Sequence, residues 1–356
     1  MMAGELSKYS FINAKLRARI SKIIPDDTFH EMAKAPGLDE ALAVLRDTPF
    51  SNLEKIYSST GDIKLAELEL LKNEIELYRN VKGYLHSTLT DLIDALLFQF
   101  EIDNLKNAVR LFFDRKVVNR PIDSSIHYIL HEQIINDIPY DMIINAEDFE
   151  EIAGLCEGTP YRQIISKFSH SVDSKGSLFR MEIAFDHYYY NNLLSCIKKL
   201  NKKDQTIAIR LVGVQIDLQN INWIIRLKKY YDLDLEQVLT TIIPGGFNLN
   251  RNIIDELYKA QNVEFVLREL VNTRYPGLST LLSAQGSDST SRLLLISQML
   301  KEIIKHETKR ILEGYPFTVG IILSYFILKQ DELNKIRMIL NAKQYGIEQE
   351  RIESII

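Results

Sequence analysis

The chain has 356 residues, long enough for several cores, since single domains usually run to roughly 100–200 residues. Its 46% apolar and 26% charged content suit an ordinary folded protein and argue against disorder. A net charge of −5, with no basic stripe carrying interleaved aromatics, argues against nucleic-acid binding.

Cys156 and Cys196, two cysteines in all, are too few for a disulfide scaffold or a thiolate zinc site, which points to a reducing compartment. The opening MMAGELSKYSF lacks the apolar core of a signal peptide. The most apolar run, Phe317 to Leu328, is too short to cross a bilayer core of about 30 Å and reads as a buried helix.

In chain order, almost every segment predicts helix. Ser7 to Ile24 carries Tyr9, Phe11, Ala14, Leu16 and Ile20 among Lys15, Arg17 and Arg19, and Pro25 ends it. A short helix over Phe29–Ala35, a turn at Pro36–Gly37 and a helix over Leu38–Arg46 follow, with a break at Pro49. Long helices are expected over Ile63–Tyr84, Leu178–Leu200 and Ser291–Leu312, of a length and charge mixing that suit antiparallel bundles. Between the last two lies Leu211–Lys229, where Leu211, Val214, Leu218, Ile221 and Ile225 recur at spacings of three and four and form one face of an amphipathic helix. Pro244–Gly245–Gly246 reads as a helix stop with a glycine free for a left-handed cap. Val263–Leu267 is β-branched, but LREL follows directly and helix is the better reading.

The Leu211–Lys229 helix has two counterparts. Aligned on an acidic residue, Glu101, Asp217 and Glu332 stand 116 and 115 residues apart. Ile102, Leu218 and Leu333 then share a column, as do Leu105, Ile221 and Ile336, and Val109, Ile225 and Leu340. The polar columns are Asn104, Asn220 and Lys335, and Arg110, Arg226 and Asn341. A second pattern precedes each acidic helix. Phe29–Leu45 lines up with Phe149–Ile165 at an offset of 120, and a third copy from Glu256 follows the first at an offset of 225. A period near one third of the chain means three related units, here bounded as 1–138, 139–246 and 247–356. Asp234 and Glu348 read as N-terminal residues of a following helix, where acidic groups suit the helix dipole. The first unit lacks a convincing version of that tail, unless Asp123–Ile126 is a diverged one.

Chemistry finds no foothold. His127 and His131 are four apart, but the zincin pattern needs Glu directly after the first His, and here Glu132 follows the second. The three acidic residues are expected to pair locally with an Asn, Lys or Arg, since a carboxylate cluster would need a cation or raised pKa values. The aromatic run His187–Tyr190 must be partly core, with a partner surface as the lesser reading. No phosphate loop, nucleophile elbow, metal set or cofactor motif is present.

These segments resemble a known family. Tyr9–Ala18, YSFINAKLRA, is close to the family's opening Y-x-[YF]-x-x-A-[RK]-x-R-A. Glu101–Lys106, Phe185–Tyr189, Gln215–Arg226 with Ile243–Gly246, and Pro316–Phe317 leading to Glu332–Arg337 continue it over essentially the whole chain. The family is that of the C subunits of the archaeal and bacterial V-type (A-type) ATPases, related to the d subunits of eukaryotic V-ATPases. The resemblance implies an all-α, funnel-like protein of three similar domains around a pseudo-threefold axis, without catalytic activity or cofactor. It would be a monomer within a hetero-oligomeric complex, cytoplasmic and peripheral to the membrane. There it would join the D and F subunits of the central stalk to the proteolipid ring and pass torque for ATP-coupled ion transport. Arg110, Arg226, Lys228, Lys229 and Lys343, at the cationic ends of the acidic helices, are the expected stalk contacts; the competing reading is solvated charges complementing helix C-termini. The alternative function is a helical-repeat adaptor for a peptide or helix partner, which shares the composition but predicts an open superhelix. A helical enzyme with an unrecognised site is a third reading.

Overall fold

The computed structural model describes residues 2–122, 128–168, 178–227, 234–247, 249–259 and 289–353. The protein is all-α, with no strand among the described residues. The chain divides into two compact units. One comprises Met1–Lys22 and Ile197–Leu328, the other Ile23–Cys196 and Lys329–Ser354.

In the second unit, α2 (Asp26–Lys34), α3 (Leu38–Ala43), α4 (Asn52–Thr60) and α5 (Ile63–Lys82) follow one another. The expected short helix, turn and helix are present, with Gly37 before α3. Asp62 caps α5 by accepting the Lys64 amide. Their apolar faces form one core from Phe29, Met32, Leu42, Leu45, Leu53 and Leu70, and into it pack Leu333, Ile336, Ile339, Leu340 and Ile352 from the C-terminal part of the chain. Each such fully buried aliphatic side chain contributes roughly 1.5–3 kcal/mol.

The rest of this unit is built on α6 (Thr88–Lys116), followed by α7 (Tyr140–Asn145), α8 (Phe149–Leu155), α9 (Tyr161–Phe168) and α10 (Phe179–Lys198). Ile102, Leu105 and Val109 are buried as their columns require. Phe112 of α6 meets Phe149 of α8 edge to face at 5.1 Å between centroids. Tyr189 and Tyr190 are buried, and the half-buried Tyr188 packs edge to face on Tyr161 and Phe98, so the aromatic run is partly core, with His187 half-buried.

In the first unit α1 (Met2–Ile20) ends four residues earlier than expected. The residue before a proline avoids helical backbone, so the chain leaves the helix ahead of Pro25. Next in this unit comes α11 (Lys202–Arg226), capped by Asn201, whose side chain accepts the Lys203 and Asp204 amides. It is less amphipathic than its spacing implies. Leu211, Val212, Val214, Ile216, Ile221 and Ile224 are all buried, and so are the polar Asp217 and Asn220. After it come α12 (Leu235–Thr241), α13 (Arg251–Lys259), α14 (Ser289–Glu313) and α15 (Gly320–Gln344), the last contributing residues to both units; α16 (Gln349–Glu353) belongs to the second. Asp234 forms a reciprocal capping box with Gln237 at the start of α12, as its position predicts. Gly245 has φ +95°, the left-handed conformation expected of that turn. Residues Thr318–Phe326, most of the apolar run, are buried. The tail at Asp123–Ile126 and the Val263–Leu267 segment lie outside the described residues.

Candidate functional site: buried carboxylates and cationic helix ends

Each acidic residue of the repeat is a buried carboxylate in the middle of a helix, and each accepts a backbone amide from a loop. Glu101, on α6, is fully buried. Its Oε2 accepts the amides of Ile135 at 2.7 Å and Asn136 at 2.6 Å. Its Oε1 accepts Asn136 Nδ2 at 2.6 Å and the Tyr161 hydroxyl at 2.7 Å. Four donors offset the cost of burying the charge. Burial, and then the charge of Glu101, push the Tyr161 phenol well above its ordinary pKa, so it stays a donor. The same two causes push the Cys156 thiol up to about 12, which leaves it inert.

Glu332, on α15, accepts the Ile24 amide at 2.8 Å and the Lys329 ammonium one turn earlier on the same helix. Asp217, on α11, accepts the Leu249 amide at 3.2 Å. The expectation of local pairing with Asn and Lys holds for Asn136 and Lys329, but a backbone amide is the partner common to all three. The neighbouring Asn column works likewise. Asn104 exchanges two hydrogen bonds with the backbone of Leu130, at 2.7 and 3.0 Å, and Asn220 does the same with Ile243, both at 2.9 Å. In the third copy Lys335 bonds Asp26 instead, at 2.9 Å.

A fourth carboxylate was not expected. Asp204 is buried near the start of α11 and accepts the Tyr9 hydroxyl at 2.5 Å, Asn201 Nδ2 at 2.6 Å and the Val319 amide at 2.8 Å. It gathers α1, the α10–α11 turn and the start of α15. Two of the segments carrying the family resemblance, at Tyr9 and after Pro316–Phe317, thus meet on one residue. Nothing in its local pattern, KKDQ, marks the site, because two of its three partners are 195 and 115 residues away.

The expected contact residues divide. Arg110 is half-exposed and donates Nε to Glu182 at 2.6 Å and Nη1 to Asn107 at 3.0 Å. Lys343 donates to the carbonyls of Ala33 and Ala35, both at 2.6 Å, so its ammonium sits on the C-terminal end of α2. Arg115, not singled out by sequence, does the same for α7, reaching Ile144 O at 3.0 Å and Ala146 O at 2.6 Å. The side chain of Arg226, together with Lys228 and Lys229, lies outside the described residues.

His127 also lies outside them, and His131 is on irregular chain 3.3 Å from Asp141, so the described part of that pair forms no helical face. Among the described residues no group of three His, Cys, Asp or Glu is placed to hold a metal ion, and no helix is long and apolar enough to cross a membrane. The arrangement is one for holding segments together.

Comparison with known proteins agrees with the resemblance. Residues 12–355 match the family described as ATP synthase (C/AC39) subunit. The chain is similar to the A-type ATP synthase C subunit of Pyrococcus horikoshii, 23% identical over 350 residues that cover 98% of this chain and 90% of that protein. The corresponding A-type C subunit of Methanosarcina mazei is 25% identical over 349 residues, with 98% and 92% covered. That of Methanocaldococcus jannaschii is 23% identical over 368 residues, with 100% and 88% covered.

Proposed function

The chain belongs to the ATP synthase (C/AC39) subunit family, and from that premise we propose that it is the non-catalytic rotor socket of a V/A-type ATPase. In this reading it joins the D and F subunits of the central stalk to the proteolipid ring and transmits torque between them, cytoplasmic and peripheral to the membrane. The single observation that carries it is the family match over residues 12–355, nearly the whole chain. Physical features support the role. A torque-bearing part needs rigid joints more than a pocket, and the chain invests its buried charges in fastening loops to helices. The three repeats, 1–138, 139–246 and 247–356, are proposed to stand around a pseudo-threefold axis, with the acidic helices lining one cavity.

Stalk contacts are proposed at Arg110, Arg226, Lys228, Lys229 and Lys343. Lys343 also serves the α2 carbonyls, so its replacement is expected to disturb the fold as well as binding. The test is binding of purified full-length chain to isolated D–F complex and, separately, to proteolipid rings in detergent. Binding to both is expected, with charge reversal at Arg226 and Lys228 weakening the stalk interaction at least tenfold. Binding to neither, with both partners active and from the same source, overturns the socket reading.

A further inference from the structure

The three carboxylate sites become more informative when their partners are compared with one another. The amides they capture belong to Ile24, Ile135 and Leu249, and Ile135 and Leu249 follow Ile24 by 111 and 225 residues. The offset of 225 is the one read from sequence, and it carries α2, Asp26–Lys34, onto α13, Arg251–Lys259, residue for residue. The offset of 111 differs from the 120 that sequence alignment gives for the second copy. Side-chain roles decide for 111. Thr48 Oγ1 donates to Leu45 O at 2.7 Å and accepts the Phe50 amide at 3.2 Å. Thr159 Oγ1 donates to Cys156 O at 2.7 Å and accepts the Tyr161 amide at 3.3 Å. Lys343 binds the carbonyls of residues 33 and 35, and Arg115 binds those of 144 and 146, again 111 apart.

Each carboxylate therefore takes its amide from the segment just ahead of a matching helix: Ile24 before α2, Ile135 before α7 and Leu249 before α13. Glu332 lies in the last repeat, and the segment it takes is the first. At the shared offset, the positions matching Asn136 and Tyr161 are Pro25 and Phe50. Proline has no N–H and no side-chain donor, and phenylalanine lacks the hydroxyl, so three of the four donors that surround Glu101 have no counterpart around Glu332. What stands there instead is Lys329, whose ammonium reaches Glu332 and lies 5.2 Å from the centroid of the Phe50 ring.

We infer that Lys329 is the positioning residue that replaces, at Glu332, the donors lost at Pro25 and Phe50, and so fastens the N-terminal segment 24–50 to the last acidic helix. Glu332 then holds Ile24 as Glu101 holds Ile135, through a different set of donors. The inference stands on the geometry alone and does not depend on the socket reading.

A swap tests it in the full-length chain, read by amide hydrogen exchange. Lys329→Met is expected to speed exchange at Ile24 and through α2 about tenfold or more, the effect of removing a charge-assisted hydrogen bond, while the 130–146 segment stays as it was. Adding Phe50→Tyr to Lys329→Met supplies the hydroxyl present in the Glu101 site and is expected to recover most of that protection. Lys329→Arg keeps a charged donor and should exchange like the parent. No recovery with Phe50→Tyr means the two sites are not equivalent, and unchanged exchange in Lys329→Met means the lysine positions nothing; either overturns the proposal. Should Lys329→Met fail to fold, Phe50→Tyr alone decides: slower exchange at Ile24 is expected, and faster or unchanged exchange overturns the inference.

Discussion

Replacing Glu101 by Gln changes one oxygen to an amide nitrogen at constant shape, inside a site with no exposure to solvent. The new nitrogen must face one of two donor pairs. On the Oε2 side it would oppose the amides of Ile135 and Asn136, which are fixed by the backbone. On the Oε1 side it would oppose Asn136 Nδ2 and the Tyr161 hydroxyl, and the hydroxyl can rotate to accept. The second arrangement costs less, yet it still leaves Asn136 Nδ2 without its acceptor and turns the remaining charge-assisted bonds into neutral ones. An orphaned buried donor costs about 1–3 kcal/mol, and charged acceptors contribute about twice what neutral ones do. Desolvating a neutral amide is easier than desolvating a carboxylate, which returns part of the loss. The net expectation is about 2–3 kcal/mol, against about 1 kcal/mol for Tyr161→Phe, which removes one donor and leaves none unpaired. Urea unfolding gives the totals, and hydrogen exchange assigns the loss to the 130–146 segment. A change below about 0.5 kcal/mol for Glu101→Gln, or equal effects from the two substitutions, would refute the view that this carboxylate holds the loop.

A Cβ at Gly246 would collide with Asp217 Oδ1, so Gly246→Ala is expected to cost about 1–3 kcal/mol as an overpacked contact and to speed exchange at Leu249. Lys343→Met and Arg115→Met each remove a cation from the end of a short helix; about 1 kcal/mol should be lost in each, with faster exchange confined to α2 in one variant and α7 in the other. Burial raises the pKa of Glu74, with Arg337 acting against it, so folding binds a proton that the unfolded chain releases. The folded state then loses stability as pH rises from the ordinary carboxylate value of 4.5 toward the raised one. Glu74→Gln should flatten urea midpoints measured between about pH 4 and 6, and an unchanged slope would show that Glu74 is not the group responsible.

The helices were legible in the sequence because they rest on apolar spacing, which local pattern encodes. Ile102, Leu105, Leu333, Ile336 and Leu340 are buried where their columns placed them. The acidic column was legible as a column but not as a site, since its main partners are backbone amides and these carry no residue signature. Asp204 was invisible for a related reason: its partners Tyr9 and Val319 are brought to it only by the fold. Sequence alignment sets the second copy nine residues out of register because the helix–turn–helix α2–α3 resembles α8–α9 as well as α7–α8. Threonine in Thr48–Pro49 and Thr159–Pro160 holds the better register, but one short dipeptide weighs little against a run of apolar matches. Lys343 reads from sequence as a helix-end cation, and the idea that it complements a helix C-terminus describes its contacts, although the helix concerned is α2 and not its own.

Why one copy uses Asp where two use Glu follows from how close the captured loop can come. Asp217 is shorter than Glu101 or Glu332 by one methylene, a reach of roughly 1.5 Å. The loop carrying Leu249 must therefore lie nearer to α11 for its amide to meet the carboxylate. Two glycines make that approach possible. Gly246 leaves the space that Asp217 Oδ1 occupies, and Gly213, one turn before Asp217, receives Phe247 so closely that a Cβ would stand 2.9 Å from the Phe247 Cβ. The Phe247 amide donates to Gly213 O at 3.3 Å, a contact between loop and helix backbone that a larger side chain would prevent. One turn before Glu101 and Glu332 the chain has Leu97 and Leu328. The longer acids thus follow a bulky residue by one turn, and the shorter acid follows a glycine against which its loop packs. The pairing of acid length with the residue four positions earlier is present in the sequence of this one chain. It is what a joint kept in function, but rebuilt in each repeat, would leave behind.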